Sequence, residues 1–189
     1  MADGGALTLA ALGGTGLGVL GLAGAMGVGL VFLQAALAKL RHRELLSGVI
    51  ANYRLLPSAL VGPAALLLAP AELAVALGLL LGGQALAALV AIALLVIFAA
   101  AMGINIIRGR REIDCGCGRS QLRQPLSWLL VVRNLVLAAI LVPRVLPGAP
   151  PTGSELAIAF AGGLAVFVIV QLFNAIGALA ASPLAASRR

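Results

Sequence analysis

Long uninterrupted apolar runs dominate this chain and restrict what it can fold into. A bilayer core about 30 Å thick needs roughly 20 consecutive apolar residues at about 1.5 Å of helical rise each. Five segments reach that length: Leu12–Ala38, Leu56–Leu81, Ala85–Ile107, Ser127–Val145 and Leu156–Ala180. With 62% hydrophobic and only 10% charged residues, the composition lies outside the range of soluble globular domains. The fold class is therefore all-α, a polytopic integral membrane helical bundle. It reads as one membrane domain over residues 1–189, with helices at about 12–38, 56–81, 85–107, 127–145 and 156–180 and a cysteine-bearing loop at 108–126. The first run lacks a basic leader and exceeds the apolar core of a secretory signal, so it reads as a retained helix.

The formal net charge of +7 is concentrated in two loops. Lys39, Arg41, Arg43 and Arg54 follow the first run, and Arg108, Arg110, Arg111, Arg119 and Arg123 follow the third. In a soluble protein such a balance would suggest nucleic acid; between apolar runs it sets topology instead, and no nucleic-acid partner is expected. Both basic loops then face the cytoplasm. The stretches Gly82-Gly83-Gln84 and Pro147–Ser154 carry no Lys or Arg and face outside, while Arg188-Arg189 returns inside. The expected arrangement is N-out and C-in, multi-pass, in a bacterial-type cytoplasmic (inner) membrane with lipid as surroundings.

Local signals refine that picture. Gly14 and Gly18, then Gly24 and Val28, have the spacing of close helix contacts. Pro63 and Pro70 should bend the second span, since each removes a backbone donor. Prolines 143, 147, 150 and 151 end the fourth helix, and Ser154 is placed to cap the fifth with Glu155 in its first turn. Gln171 and Asn174, at i and i+3, should face other helices or a second subunit of a homo-oligomer.

Chemistry concentrates in Asp114-Cys115-Gly116-Cys117-Gly118, which holds both cysteines of the chain. Thiolates rather than thiols attack disulfides, and Arg110, Arg111 and Arg119 supply nearby positive charge. A Cys-x-Cys pair can close into a small strained disulfide, which is readily reduced. Two other readings stay open: an incidental thiol pair in a reducing loop, and metal ligation. Two thiolates cannot complete a tetrahedral site, and the single histidine, His42, lies in the other basic loop, so no metal is assigned.

Glu72 stands inside the second span, where an ionised carboxylate is costly unless paired. Arg133, beside Asn134 in the fourth span, is its natural counter-ion, in a structural ion pair or a proton or quinone site. Lys39 ends the first helix and should snorkel to the headgroups. Tyr53 and Trp128 fit interfacial anchors. Gln34 and Asn105 should hydrogen-bond between helices or line a polar pocket beneath the thiol loop.

Together these residues resemble the methylamine utilisation protein MauE family, within the wider DoxX-like group of small four-helix membrane proteins. The matching features are Lys39, Tyr53-Arg54-Leu55-Leu56-Pro57, Pro70-Ala71-Glu72-Leu73, Arg108-Gly109-Arg110, Asp114-Cys115-Gly116-Cys117-Gly118 and Arg133-Asn134, in that order. The likeness covers the first four helices, leaving the fifth as a C-terminal addition to a four-helix MauE/DoxX-like core. The family pattern often has Phe where Gly118 stands. The resemblance implies a membrane partner for exported thioredoxin-like proteins, assisting disulfide formation or maturation of extracytoplasmic proteins such as the small subunit of methylamine dehydrogenase. It further implies that Cys115 and Cys117 are the redox pair.

The functional expectation is a membrane thiol-disulfide oxidoreductase component, with Glu72, Arg133, Asn134 and Lys39 as polar intramembrane groups. With two cysteines only, electrons must pass to a partner thiol or to a small carrier such as a quinone. The positive-inside rule places the thiols on the cytoplasmic side while the implied partner works outside, so the loop is expected to re-enter or cap the bundle. The alternatives are a non-enzymatic scaffold or chaperone for such a partner, and a small-molecule or metal transporter using Glu72 and Arg133.

Overall fold

The structure is a computed structural model and describes residues 3–82, 85–113, 125–146 and 152–180, with side chains described between residues 16 and 179. All its elements there are helical: α1 (Asp3–Arg41), α2 (Arg43–Tyr53), α3 (Ser58–Leu81), α4 (Ala85–Ile107), α5 (Trp128–Leu141) with a 3₁₀ turn (Val142–Arg144), and α6 (Gly153–Ala180). Four are long and apolar enough to cross a membrane: Gly16–Arg41 of α1, then α3, α4 and residues Gly153–Leu179 of α6.

Two segments take other bounds than expected. The fourth apolar run, expected as a helix over 127–145, forms an α-helix of only 14 residues followed by a 3₁₀ turn, so its length alone does not show a fifth span. That helix covers about 21 Å at 1.5 Å per residue, short of the bilayer core. Pro143 lies in the 3₁₀ turn that follows; it lacks an N–H and crowds the preceding carbonyls, which ends the α-helix. The second segment is the loop after the first span, much of which is α2. That helix buries Leu46 and packs on α3.

Helix α2 ends at Arg54, whose backbone is left-handed at φ 49°. Pro57, at φ −56°, then starts α3, so the chain reverses within a few residues. Helix α3 runs through both Pro63 and Pro70 without interruption.

Helix α1 is the centre of the bundle, packed on α6 along one side and α3 along another, while α4 packs on α5. Small residues permit that closeness. A Cβ on Gly163 would stand 2.5 Å from Met26 Cβ and 3.0 Å from the Ala23 carbonyl oxygen; one on Gly27 would meet Val166 at 2.7 Å. Gly24 faces Ile140, and Gly29 faces Leu80 at 2.9 Å. The expected contact at Gly18 is not made: nothing lies within 4 Å of it, and the close approaches fall further along α1. Such contacts let backbones approach where lipid gives no hydrophobic drive between helices.

The core divides into two clusters. The larger joins all the spanning helices through residues such as Val28, Phe32, Leu79, Leu95 and Leu141. The smaller binds α4 to α5 around Met102, Ile106, Leu126 and Leu130. Leucines such as Leu66, Leu81 and Leu172 are exposed, as a lipid-facing surface requires.

The helices are staggered. Helix α1 stops at Arg41, yet Lys39 reaches Glu72, which is fourteen residues into α3, about 21 Å along it. Helix α2 also packs on α3, so α1 and α2 together flank one long helix.

Candidate functional site

At this stagger the helices line a partly open cavity of about 390 Å³. Helix α1 contributes Gln34 and Lys39, α3 contributes Glu72, α5 contributes Arg133 and Asn134, and α6 contributes Gln171 and Asn174. The remaining wall is apolar, with Phe32 from α1 and Phe98, Ala101 and Met102 from α4. Leu46, Val49, Ile50 and Tyr53 of α2 complete it.

The polar groups are organised by one buried ion pair. Lys39 Nζ donates to both carboxylate oxygens of Glu72 at 2.8 Å, and Glu72 is only 1% exposed. The lysine is therefore turned into the bundle and does not snorkel to the headgroups. Arg133, read from the sequence as the counter-ion of Glu72, lines the same cavity. Its Nη1 donates to Asn174 Oδ1 and its Nη2 to Asn134 Oδ1 at 3.3 Å. The i, i+3 pair Gln171 and Asn174 does face the interior, as its spacing suggested. Tyr53, expected as an interfacial anchor, lines the cavity, whereas Trp128 at the start of α5 is half exposed.

Asn134 is 3% exposed, and its Nδ2 has no hydrogen-bond partner among the described residues. A buried amide donor left unmatched costs about 1–3 kcal/mol, so this atom marks a place where a polar partner would be welcome.

The segment bearing the thiols springs from the same end of the bundle. Cys115, Cys117 and Arg119 lie outside the described residues, but both flanks of the segment are held. Helix α4 closes with Gly109 at φ 74°, with Arg110 N donating to Asn105 O at 2.9 Å and Gly109 N to Ile106 O at 3.0 Å. This is the paired hydrogen bonding of a Schellman C-cap. Asn105, fully buried, bonds through Nδ2 to Ala101 O at 3.0 Å and accepts from Arg110 Nη1 at 3.1 Å. Arg110, expected beside the thiols, thus has its guanidinium tied back to α4, while Arg111 is exposed. Leu126 N then donates to Arg111 O at 2.9 Å, and Leu126 is buried. Arg111 and Leu126 thus meet where the chain leaves the described residues after α4 and re-enters them before α5.

Helix α2 is what sequence reading missed. Its signal was present: Leu46, Val49, Ile50 and Tyr53 recur at helical spacing, and all four line the cavity.

A family model described as methylamine utilisation protein MauE matches residues 17–147. The chain belongs to the MauE family. It is 45% identical over 156 residues to the methylamine utilization protein MauE of Paracoccus denitrificans, covering 79% of this chain and 84% of that one. It is 49% identical over 145 residues to the MauE protein of Methylorubrum extorquens, covering 74% and 78% of the two chains. The MauE protein of Paracoccus versutus is 42% identical over 155 residues, covering 80% and 83%. No solved structure matches. The stretch matched to the MauE family holds Lys39, Glu72, Arg133, Asn134 and both cysteines, and ends before α6, which supplies Gln171 and Asn174 to the cavity.

Proposed function

We propose that this chain is a thiol-disulfide oxidoreductase component of a bacterial-type inner membrane, exchanging electrons through Cys115 and Cys117 with a thioredoxin-like partner. In that role it supports disulfide formation or maturation of extracytoplasmic proteins needed for methylamine utilisation. Family membership supplies the biological setting. The observation that carries the chemistry is the closed base of the cysteine loop, where the Asn105–Arg110 and Arg111–Leu126 bonds hold both flanks at one end of the bundle. A pair of thiols on a loop anchored in this way can meet a soluble partner without loosening the helices. Arg111 and Arg119 favour the thiolate, while Arg110 secures the loop.

In this reading α5 and its 3₁₀ turn make a fifth pass, giving N-out and C-in topology, and the protein relays reducing equivalents across the bilayer between the extracytoplasmic partner and the thiols. The chain works with a thioredoxin-like protein and as a homo-oligomer.

The test is a double Cys115→Ser/Cys117→Ser variant in a host that depends on the protein for growth on methylamine. Client thiols are trapped by alkylation and resolved on non-reducing gels. The client should accumulate in reduced or mispaired form, with variant protein present in the membrane at normal level. Normal client oxidation in the double variant would exclude the thiol chemistry.

A further inference from the structure

We infer that the intramembrane cavity is a binding site for a lipid-soluble quinone, which takes the electrons collected by the cysteine pair. This rests on the thiol-disulfide reading above and names its small-molecule partner.

Four observations support it. The cavity, at about 390 Å³, falls within the range of small-molecule pockets. Its wall is mainly apolar and aromatic, with Phe32, Phe98 and Tyr53 available to flank a flat ring. Leu56 and Ile97 line it while being themselves 42% and 58% exposed, so it communicates with the lipid-facing surface, where an isoprenoid tail would lie. Asn134 Nδ2, buried and without a partner among the described residues, is a donor waiting for an acceptor. A quinone is a planar ring with two carbonyl acceptors and no donor, and it dissolves in the bilayer. A peptide or hydrophilic metabolite would not enter through an apolar opening of this kind.

The cavity also lies close to Leu126, on the described flank of the cysteine segment. Tyr53, Phe98 and Met102 line the cavity and belong to the same packed cluster as Leu126. In the reaction the Cys115 and Cys117 dithiol loses two electrons and two protons: both S–H bonds break and one S–S bond forms. The quinone gains those two electrons and two protons and becomes the quinol. The disulfide left behind then oxidises the next partner dithiol, so no further reductant or oxidant is needed.

The full chain in lipid nanodiscs is titrated with decylubiquinone, and the fluorescence of Trp128, the single tryptophan, is followed. Wild type should show saturable quenching. Asn134→Leu, which removes the donor, should weaken binding about tenfold, as loss of a buried hydrogen bond does. Ala101→Phe, which fills the cavity, should abolish it, with helical content and monodispersity checked for each variant. The Cys115→Ser/Cys117→Ser protein should bind like wild type. Absence of saturable quenching, or equal affinity in wild type, Asn134→Leu and Ala101→Phe, would overturn the site. Oleate displacing the probe as readily as a second quinone does would reassign it to an acyl lipid. Quinone binding with no defect in client oxidation in the double cysteine variant would defeat the thiol reading and the electron transfer, but not the binding site. A client defect without quinone binding would do the reverse.

Discussion

Lys39 and Glu72 form a bidentate ion pair in the middle of α3, with Nζ 2.8 Å from each carboxylate oxygen and the glutamate almost wholly buried. Removing one partner from such a pair leaves a charge without compensation and costs about 3–5 kcal/mol, while replacing both by apolar groups is often neutral. Lys39→Met should therefore lower the thermal unfolding midpoint in detergent markedly, and Lys39→Met/Glu72→Leu should recover most of the loss. Identical midpoints for wild type and Lys39→Met would show that the pair carries no weight in stability.

This pair also shows where sequence reading stopped. Hydropathy located the long helices, because lipid forces every backbone group into helical bonds and leaves the apolar runs visible. Glu72 stood out because a carboxylate is conspicuous among leucines. Its partner did not: Lys39 ends a helix, and a helix end is ordinarily read as a membrane surface. The stagger that brings the end of α1 to mid-α3 depends on packing, including the close approach of Gly29 to Leu80, which spacing alone does not encode. Helix α2 was obscured by the basic residues at its two ends, and α5 by prolines whose effect on helix length depends on the turn they enter.

Asn105 and Gly109 should control how tightly the cysteine loop is held. Gly109 has φ 74°, a conformation that costs a residue bearing a Cβ about 1–2 kcal/mol. Asn105→Ala removes the acceptor for the Arg110 guanidinium. Both Gly109→Ala and Asn105→Ala should speed alkylation of Cys115 and Cys117 by a small maleimide severalfold, measured by mass spectrometry after timed quenching. Unchanged rates in both variants would show that the α4 cap does not restrain the loop.

The α1–α6 crossing should tolerate no added carbon at Gly163. The new Cβ would meet Met26 Cβ and the Ala23 carbonyl, and neither can retreat without parting the two helices. Gly163→Ala is expected to destabilise by about 1–3 kcal/mol, as overpacking does. Gly18→Ala, with nothing within 4 Å, should be neutral or slightly stabilising because alanine is the better helix former. Thermal denaturation of the two variants side by side separates the effects, and equal midpoints would refute the close crossing.

The start of α6 is capped by Thr152, two residues earlier than the serine that the sequence suggested. Thr152 N donates to Glu155 Oε2 at 2.7 Å, and Glu155 N donates to Thr152 Oγ1 at 3.4 Å, the reciprocal bonds of a capping box. Thr152→Ala should cost about 1 kcal/mol. Ser154→Ala should change stability much less, and the reverse order would return the cap to Ser154.

The fifth pass is decided by where Thr152 lies relative to the cysteine loop. Helix α5 and its 3₁₀ turn together reach about 27 Å, from 14 residues at about 1.5 Å and three at about 2.0 Å. That is close to the thickness of a bilayer core, and the exposed Trp128 at the start of α5 suits an interface. If α5 crosses, Thr152 and the cysteine loop are on opposite sides of the membrane. A Thr152→Cys substitution in the Cys115→Ser/Cys117→Ser background should react with an impermeant maleimide in spheroplasts. The native cysteines, once reduced, should react only in inverted vesicles. Labelling of both sites from the same face would reduce the chain to four passes and remove the N-out, C-in assignment.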